Sequence, residues 1–569
     1  MPPKIDPDTM DQIEYVWTQH NRYWQAQENE ILLAESLYAH DWWGRYASLH
    51  EPMAAELGMA GASLLETEEG YTTVESALAQ IFVSSPGVVV QPDPTDADAT
   101  QPGMAPAVQE LLNNWLSRPE YTAALKQAAR WGLIYRYSGM ALESVAPGRL
   151  GLKATPLRPW ELLVDTGATS VRGDDWSFIG RVHRLTKAEA KAAGFTLGRG
   201  QRWTPQAPSD GLPDTMGLGS QRDPGPPPCM GLVEIIEWHD LLSDEPPMFL
   251  APQEYITGPR TDTGRLIPIK RDEDHWSRLI PLYLGTGAIE PLRGSSLLGR
   301  MAPALVLKNW LLTMYARRSK RASVKTLASS RLGEDAIVKL TNGILDEVIP
   351  VETPGDLTAL VRNIDSNSNP QEWAEAFNLV QSEIDRSINL PSFARGNATR
   401  ATATEVLELQ SYAASLIGLT AFQVNDLIRS SAQAFLDKVT DDLDEADAPI
   451  VILVDSQPSL LDAQATGASY RFTPVESIAS PLGGAVERRN LLQVIPILTA
   501  SPDVDGRALL EHVIRTFDLP MDLIAAPQAD ALSEGGGAPM PGQPGPGKVN
   551  VTEAVLESTL PANVLATGD

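Results

Sequence analysis

Two short stretches of the sequence combine carboxylates with histidine, the groups that could bind a divalent metal ion. One stretch holds Glu237, His239 and Asp240, and the other holds Asp272, Glu273, Asp274 and His275 beside Arg271. Glu237 and His239 fall on one face of an alternating strand, which favours a solvated surface, and the second stretch has the composition of a solvated turn. We expect no metal site, with metal binding as the less favoured alternative at both.

The motifs of nucleotide and covalent chemistry are missing from the sequence. It contains no GxxxxGK[ST] phosphate loop, no HExxH and no CxxC, and the glycine-rich segment at 285–294 lacks a lysine. Cys229 is the single cysteine, which excludes an intramolecular disulfide and fits a reducing cytosol. An acid–base pair could still assemble from distant positions, but nothing recommends one. We expect no catalytic residue, no cofactor and no enzymatic activity.

Basic residues concentrate in two places in an otherwise acidic chain. The net charge is −28, so the protein cannot neutralise phosphates over its whole surface. The negative charge has two interpretations: it keeps the protein soluble, or it forms a surface along which DNA passes without binding. The net charge alone does not distinguish them. The two basic places are a run, Arg317, Arg318, Lys320 and Arg321, and an acid-free loop with Arg395, Asn397 and Arg400.

Length and composition are those of a globular protein. At 569 residues, with 43% hydrophobic and 21% charged residues, we expect three or four domain-sized units. No apolar run reaches the roughly 18 residues that a membrane span needs. The N-terminus lacks the apolar core of a secretory signal.

The first half of the chain predicts a mixed α+β region. We expect a helical, aromatic-rich arm over 8–50, a helix running into a strand over 72–90, a loop over 91–106, and a helix over 107–131 interrupted near Arg118-Pro119. Strand patterns follow at 131–145, 154–165, 176–186 and 232–242. Thr186 and Glu189 form a predicted capping box that opens a short helix, and 197–230 has the composition of an exposed excursion.

The second half of the chain is dominated by helix patterns. A helix is expected from Gly294, with Pro303 in its first turn and an apolar series at helical spacing, Leu307, Trp310, Leu311, Met314 and Tyr315. A second helix begins at Asn369-Pro370 and carries the apolar stripe Trp373, Phe377, Val380, Ile384 and Ile388.

Thr402 and Glu405 form a further capping box. It predicts a helix to about Val439, on the order of 55 Å long. A β-like stretch at 449–482, helices at 485–498 and 505–520, and a Gly/Pro linker at 533–548 complete the chain.

In this order, the elements resemble the portal, or head–tail connector, proteins of tailed bacteriophages. Three segments carry the resemblance: LRPWELLVDTGA with GRVHRLTKAEAKAAGF at 157–195, PLRGSSLLGRMAPALVLKN at 291–309, and INLPSFARGNATRATATEVLELQ at 388–410. It spans roughly 105–520. The resemblance implies an α+β portal fold with a mixed α/β wing, an antiparallel helical stem, a small α/β clip, a long wing helix and a helical crown.

The resemblance also implies a division of this chain into the family's regions. The wing would comprise 1–293 and 402–482, the stem helices 294–321 and 369–388, and the clip 322–368. The tunnel loop would be 389–401, the crown 483–532, and a flexible tail 533–569.

Portals are rings, typically of twelve subunits, at one capsid vertex. The resemblance therefore implies a virion protein, assembled in the host cytoplasm, that guides double-stranded DNA during packaging and ejection. The implied partners are further copies of itself, the terminase large subunit, head–tail adaptor proteins, the major capsid protein and a scaffold protein, with no membrane.

The roles of the basic residues stay open at the sequence level. Arg395 and Arg400, with Asn397 between them, would contact phosphates transiently on the tunnel loop, or the arginines would pair with carboxylates of a neighbouring subunit. The run from Arg317 to Arg321 fits a helix C-terminus, where the dipole favours cations, or pairing between subunits, ahead of a belt that faces DNA or a partner.

Two other classes of protein compete with a portal. A packaging ATPase or nuclease predicts a phosphate loop or a carboxylate metal cluster, and the sequence contains neither motif. A capsid–tail adaptor is usually much shorter, and a scaffold is more uniformly helical and polar.

Overall fold

The chain divides into two units, Met1–Glu487 and Arg488–Asp569. The computed structural model describes a large part of the first unit. The described residues are 7–40, 65–82, 85–93, 102–144, 151–168, 170, 175–198, 200–204, 232–243, 246–257, 265–271, 275–285, 294–322, 325–328, 361–364, 370–388, 403–446, 448–454 and 457–474. The predicted excursion at 197–230 lies outside them from 205 on, as do the predicted helices at 485–498 and 505–520 and the linker at 533–548.

Helices and strands alternate along the described residues. The helices are α1 (Pro7–Ala26), α2 (Glu28–Ala39), α3 (Glu69–Ile81), α4 (Ala105–Leu116), α5 (Pro119–Tyr135), α6 (Lys187–Ala192), α7 (Leu297–Ala322), α8 (Pro370–Ile388), α9 (Ala403–Ala446) and α10 (Ala463–Thr466). The strands are β1 (Val88–Pro92), β2 (Tyr137–Ser144), β3 (Leu152–Leu157), β4 (Leu162–Val164), β5 (Phe178–Thr186), β6 (Arg202–Trp203), β7 (Leu232–Asp240), β8 (Met248–Pro252), β9 (Ile256–Thr257), β10 (Leu266–Ile269), β11 (Ser277–Tyr283), β12 (Lys325–Ala328), β13 (Val361–Ile364), β14 (Ile450–Val454), β15 (Gln457–Leu461) and β16 (Tyr470–Pro474).

Two antiparallel sheets organise the β structure. The larger has the order β10-β8-β7-β5-β4, and the smaller has the order β11-β2-β3. Alternate residues of the larger sheet face α1, where Ile13 is fully buried with Ile236 and Trp238. The opposite face packs against α6 and Phe195. Both faces are therefore covered, which explains why β7 has little polar alternation.

The main core lies between the smaller sheet and the helices. Helices α2 to α5, α7, α8 and α9 all contribute buried side chains to it. Trp115 of α4 stacks on Phe435 of α9, with ring centroids 4.5 Å apart and an interplanar angle of 7°. A ribbon of β1 and β16, which pair antiparallel, covers part of this core. The long helix α9 thus packs against elements from the first quarter of the chain.

Several local predictions are confirmed. The helix over 107–131 is interrupted at Ser117-Arg118, and Pro119 opens α5. Thr186 accepts a hydrogen bond from the Glu189 backbone while the Glu189 side chain accepts one from the Thr186 backbone, as a capping box requires. Such motifs are predictable because both partners lie within one turn.

Other predictions are wrong in their boundaries. Residues 131–135 belong to α5 rather than to a strand, and the segment 154–165 holds parts of two strands, β3 and β4, in different sheets. Pro303 lies inside α7 rather than in its first turn, and Ser296 precedes the helix and accepts the Gly299 N–H with its hydroxyl. Helix α9 continues to Ala446, so the acidic run after Asp441 is helical.

Arg136 joins α5 to β2 in an unusual backbone conformation. Its φ of 71° and ψ of −27° lie in the left-handed region, where non-glycine residues are rare. The backbone carbonyl accepts hydrogen bonds from Leu284 and Gly285. The buried guanidinium donates to Glu30 at 3.1 Å, Tyr23 at 2.6 Å and the Gly294 carbonyl at 3.1 Å. One residue thus connects α1, α2, the two residues that follow β11 and the segment before α7.

The described residues form an α+β structure, as expected. No helix among them combines the length and apolarity of a membrane-crossing segment.

Candidate functional site

Helices α7 and α8 pack as an antiparallel pair. Lys308 donates to Gln381 at 2.6 Å, and the Tyr315 ring lies 5.9 Å from Trp373 and 6.4 Å from Phe377. Residues later in α7 therefore meet residues earlier in α8. Val380 and Ile384 of the predicted stripe are buried against the main core. The stripe confines the contact to one side of α8 and leaves Leu379 71% exposed.

The first half of α7 is fixed to the core by polar contacts. Asn309 accepts the Thr67 backbone N–H at 3.1 Å, and Thr313 accepts that of Leu65 at 2.9 Å. Lys308 pairs with Glu69 at 2.7 Å. Met301 and Leu305 are almost fully buried. These contacts orient α7 from its start to about Thr313, before the basic run begins.

Beyond the helix pair, strands β12 and β13 pair antiparallel, from Lys325 opposite Ile364 to Ala328 opposite Val361. They lie between α7 and α8 in the chain, so the polypeptide leaves along one helix and returns along the other. Of the predicted clip at 322–368, the structure describes these two strands and Ala322 at the end of α7, and the rest lies outside the described residues. Arg317, Arg318, Lys320 and Arg321 lie in the last two turns of α7, and their side chains are outside the description.

Helix α9 is 44 residues long, about 66 Å at 1.5 Å per residue. Its later part is embedded, with Val424, Ile428 and Phe435 buried in the main core. Arg395, Asn397 and Arg400, with Thr402, lie outside the described residues. In the chain, these residues lie between the end of α8 and the start of α9.

A buried ionic cluster lies between the two sheets. Glu237 of β7 is fully buried and accepts hydrogen bonds from His183 at 2.7 Å and His239 at 2.9 Å. The Ser277 hydroxyl of β11 also donates to it. Three groups from three strands therefore converge on one carboxylate.

A second carboxylate, Glu143 of β2, completes the cluster. Arg181 donates to it at 3.2 Å, and Arg271 and His275 lie 3.6 and 4.0 Å away. The Arg271 guanidinium also lies over the rings of Phe195 and Phe249, at 4.7 and 5.4 Å. Aromatic rings therefore cover one side of the cluster. Glu143 and Ser277 belong to the smaller sheet, so the cluster contains residues of both sheets.

Electrostatics keep both carboxylates ionised. Burial alone would raise the pKa of Glu237, but the hydrogen bonds from His183 and His239 hold it well below its usual range. Burial likewise opposes ionisation of Glu143, but the positive charges around it, that of Arg181 foremost, together outweigh burial, so the pKa of Glu143 is also lowered. Burial, aided by Arg271, lowers the pKa of His275 to about 4. At neutral pH the cluster holds neutral His275 beside charged carboxylates and arginines.

This geometry corrects the interpretation of Glu237 and His239 as a solvated surface. Glu237 is fully buried, and the His239 side chain is only 13% exposed. Ser277 of the smaller sheet contacts Glu237 on this face of β7, so a second layer covers it. Arg271 and His275 belong to the same cluster, whereas 272–274 lie outside the described residues. A signal was present in the sequence, since Arg181, His183 and Glu237 lie in neighbouring predicted strands.

The cluster is suited to holding the two sheets together rather than to reacting. No group of three or more potential ligand residues in the described part of the chain is arranged to hold a metal ion. Glu237 has its oxygens occupied by three donors, which leaves no free acceptor aimed at solvent. Its chemistry is that of a buried structural carboxylate, kept ionised by the hydrogen bonds that it accepts.

Comparisons with known proteins gave structural matches alone. No family model matches the chain, and no curated protein matches it. One similar solved chain comes from the "Neck of empty GTA particle computed with C6 symmetry", with 14% sequence identity, a TM-score of 0.39, and coverage of 83% of this chain and 94% of that one. Another comes from the "Virion of native gene transfer agent (GTA) particle", with 14% identity, a TM-score of 0.38, and coverage of 79% and 89%.

Proposed function

We propose that this chain is the portal subunit of a phage-like particle, a structural protein of the head–tail region and not an enzyme. One observation carries the proposal: the order of elements from Leu297 to Ala446. A helix leaves the mixed α+β body, a small β pair follows, a second helix returns antiparallel, and a 44-residue helix re-enters the core. The portal resemblance of the sequence predicts that same order.

In this proposal α7 and α8 are the stem, β12 and β13 belong to the clip, and α9 is the long wing helix. Copies would surround a channel for double-stranded DNA at one capsid vertex of the virion. The net charge of −28 supports this use, because an acidic wall repels phosphates within a screening length of about 10 Å at 0.1 M salt. Terminase, head–tail adaptors, the capsid protein and scaffold would dock on the outer surfaces.

The test of this proposal is the assembly state of the purified full-length chain. We expect closed rings with a central channel in negative-stain images, and a native mass that is a multiple of the 61.6 kDa chain. ATP hydrolysis should stay at background. A monomer with ATPase activity would contradict the proposal and favour a packaging enzyme.

The tunnel loop gives a second test, on particles. Arg395→Ala with Arg400→Ala removes the two cations of the acid-free loop. If they contact phosphates, packaged DNA should be retained less well, as measured by the fraction of full particles after purification. Lys187→Ala with Lys191→Ala, which removes two cations from the wing helix α6, is the control. Unchanged retention in the loop variant would favour pairing of the arginines with a neighbouring subunit.

A further inference from the structure

Strands β14 and β15 form a hairpin that is apolar on both faces. Ile450, Ile452 and Val454 point towards the main core and pack against it. On the opposite face Val451 is 64% exposed, Leu453 65% and Leu460 60%. Strands with this pattern are typically covered on both sides, yet the described residues cover the hairpin on one side only.

The register places the exposed residues together. Val451 is paired with Leu460, and Leu453 is paired with Pro458. Cross-strand partners share a face of the sheet, so these four side chains form one continuous surface, which we call the hairpin face. The described residues of this hairpin, 448–454 and 457–461, contain no ionisable side chain. The four side chains of the hairpin face are thus uncharged as well as apolar, and Asp455, between the two strands in the chain, lies outside the described residues.

We propose that the hairpin face is a contact surface for a second copy of this chain. The argument rests on charge. Each copy carries −28, so two copies repel, and the repulsion is smallest where no carboxylate lies in the contact. The centres of protein interfaces are generally depleted of charge. A nucleic acid or a strongly basic partner would find no group here to pair with.

The size of the hairpin face fits the centre of an interface rather than all of one. Four side chains are far fewer than the roughly 20–30 residues per side of a standard interface. Adjacent surfaces must therefore contribute, while the hairpin face supplies its apolar part. In a ring the contact is heterologous, so the hairpin face meets a different surface of the next copy. The choice of a second copy rests partly on the proposed function.

The test compares assembly of the full-length chain and two variants across a concentration series, by mass photometry. Val451→Asp with Leu453→Asp should raise the concentration needed for assembly at least tenfold, because it places carboxylates in the contact. Leu242→Asp is the control, since Leu242 is 80% exposed but lies after β7, and its assembly should match that of the unaltered chain.

The outcomes separate the two proposals. If the unaltered chain forms rings and the hairpin variant forms them equally well, the hairpin inference is overturned and the portal proposal stands. If the unaltered chain stays monomeric throughout, both are overturned. Should the aspartate variant lose its cooperative thermal transition, Val451→Thr with Leu460→Thr, which keeps β-forming residues, gives the same comparison.

Discussion

Glu237 shows how one carboxylate can tie two sheets together. It lies fully buried with three donors around it, from β5, β7 and β11. A buried ion whose partners are complete is tolerated, whereas one that has lost its partner is strongly destabilising. The converse also holds here, because removing the charge leaves imidazole and hydroxyl donors without an acceptor.

Glu237→Gln should therefore destabilise the fold. The amide has one acceptor oxygen and brings an NH2 group towards a donor, so we expect a loss of roughly 3–5 kcal/mol in the free energy of unfolding, measured by urea denaturation. Glu383→Gln, at an exposed pair with Arg386 on α8, is the control and should change stability by less than about 1 kcal/mol. A Glu237 variant as stable as this control would contradict the structural role.

Stability should fall as the pH falls below about 6.5. Burial lowers the pKa of His20 to about 4, and that of His275 to about 4, so the unfolded chain binds their protons first. This stability is present above the unfolded pKa of about 6.5 and is lost as the pH falls towards 4. Below about 4.5, protonation of Glu237 and Glu143 adds a further loss, because their folded pKa values are lowered.

The measurement is the midpoint of urea unfolding between pH 7.5 and 4. His20 donates to the Trp160 carbonyl at 3.1 Å, and His20→Gln, which also carries an N–H donor, should flatten the profile between pH 6.5 and 4. If the dependence of the unfolding midpoint on pH is as steep in the variant as in the unaltered protein, His20 does not contribute to that dependence.

At the scale of elements, the helix pair depends on an aromatic contact near its outer part. Trp373→Ala removes the ring that lies 5.9 Å from Tyr315. Such a pair contributes about 0.5–1.5 kcal/mol beyond its buried area, so amide hydrogen exchange should speed up in α8 and late α7. Exchange in β5 and β7 should not change. Leu379→Ala, at an exposed position of the same helix, should leave exchange in α8 unchanged.

Elements governed by neighbouring residues were predictable from the sequence. The cap at Thr186, the start of α5 at Pro119 and the stripe Val380–Ile384 each depend on residues within two turns. The prediction that Pro303 lies in the first turn of α7 was wrong because the helix already begins at Leu297, after Ser296.

The buried cluster could not be predicted in the same way. Glu237 meets His183 and Ser277 from strands that are distant in the chain, and the covering of its face depends on the packing of two sheets. Arg136 is a similar case, because its left-handed conformation is supported by contacts with Glu30 and Gly294. The proposed tunnel-loop residues Arg395, Asn397 and Arg400 remain predictions.

At the scale of the whole molecule, charge should oppose association. Copies at −28 repel, and raising the salt from 0.1 M to 1 M shortens the screening length from about 10 Å to about 3 Å. We expect assembly at lower protein concentration in 0.5 M than in 0.05 M NaCl, measured by sedimentation velocity. Weaker assembly in high salt would mean that attractive ion pairs between copies dominate instead.

The contacts of α7 fix the helix pair at one end, as a cantilever is fixed at its support. Arg136 clamps the segment before it at Gly294, and contacts through Asn309 and Thr313 hold its first half. A beam fixed at one end deflects most at the other, so thermal displacement should grow from Thr313 towards the β12–β13 end. A load applied at that end is transmitted as a bending moment to the root, where Arg136 spreads it over α1, α2 and the residues that follow β11.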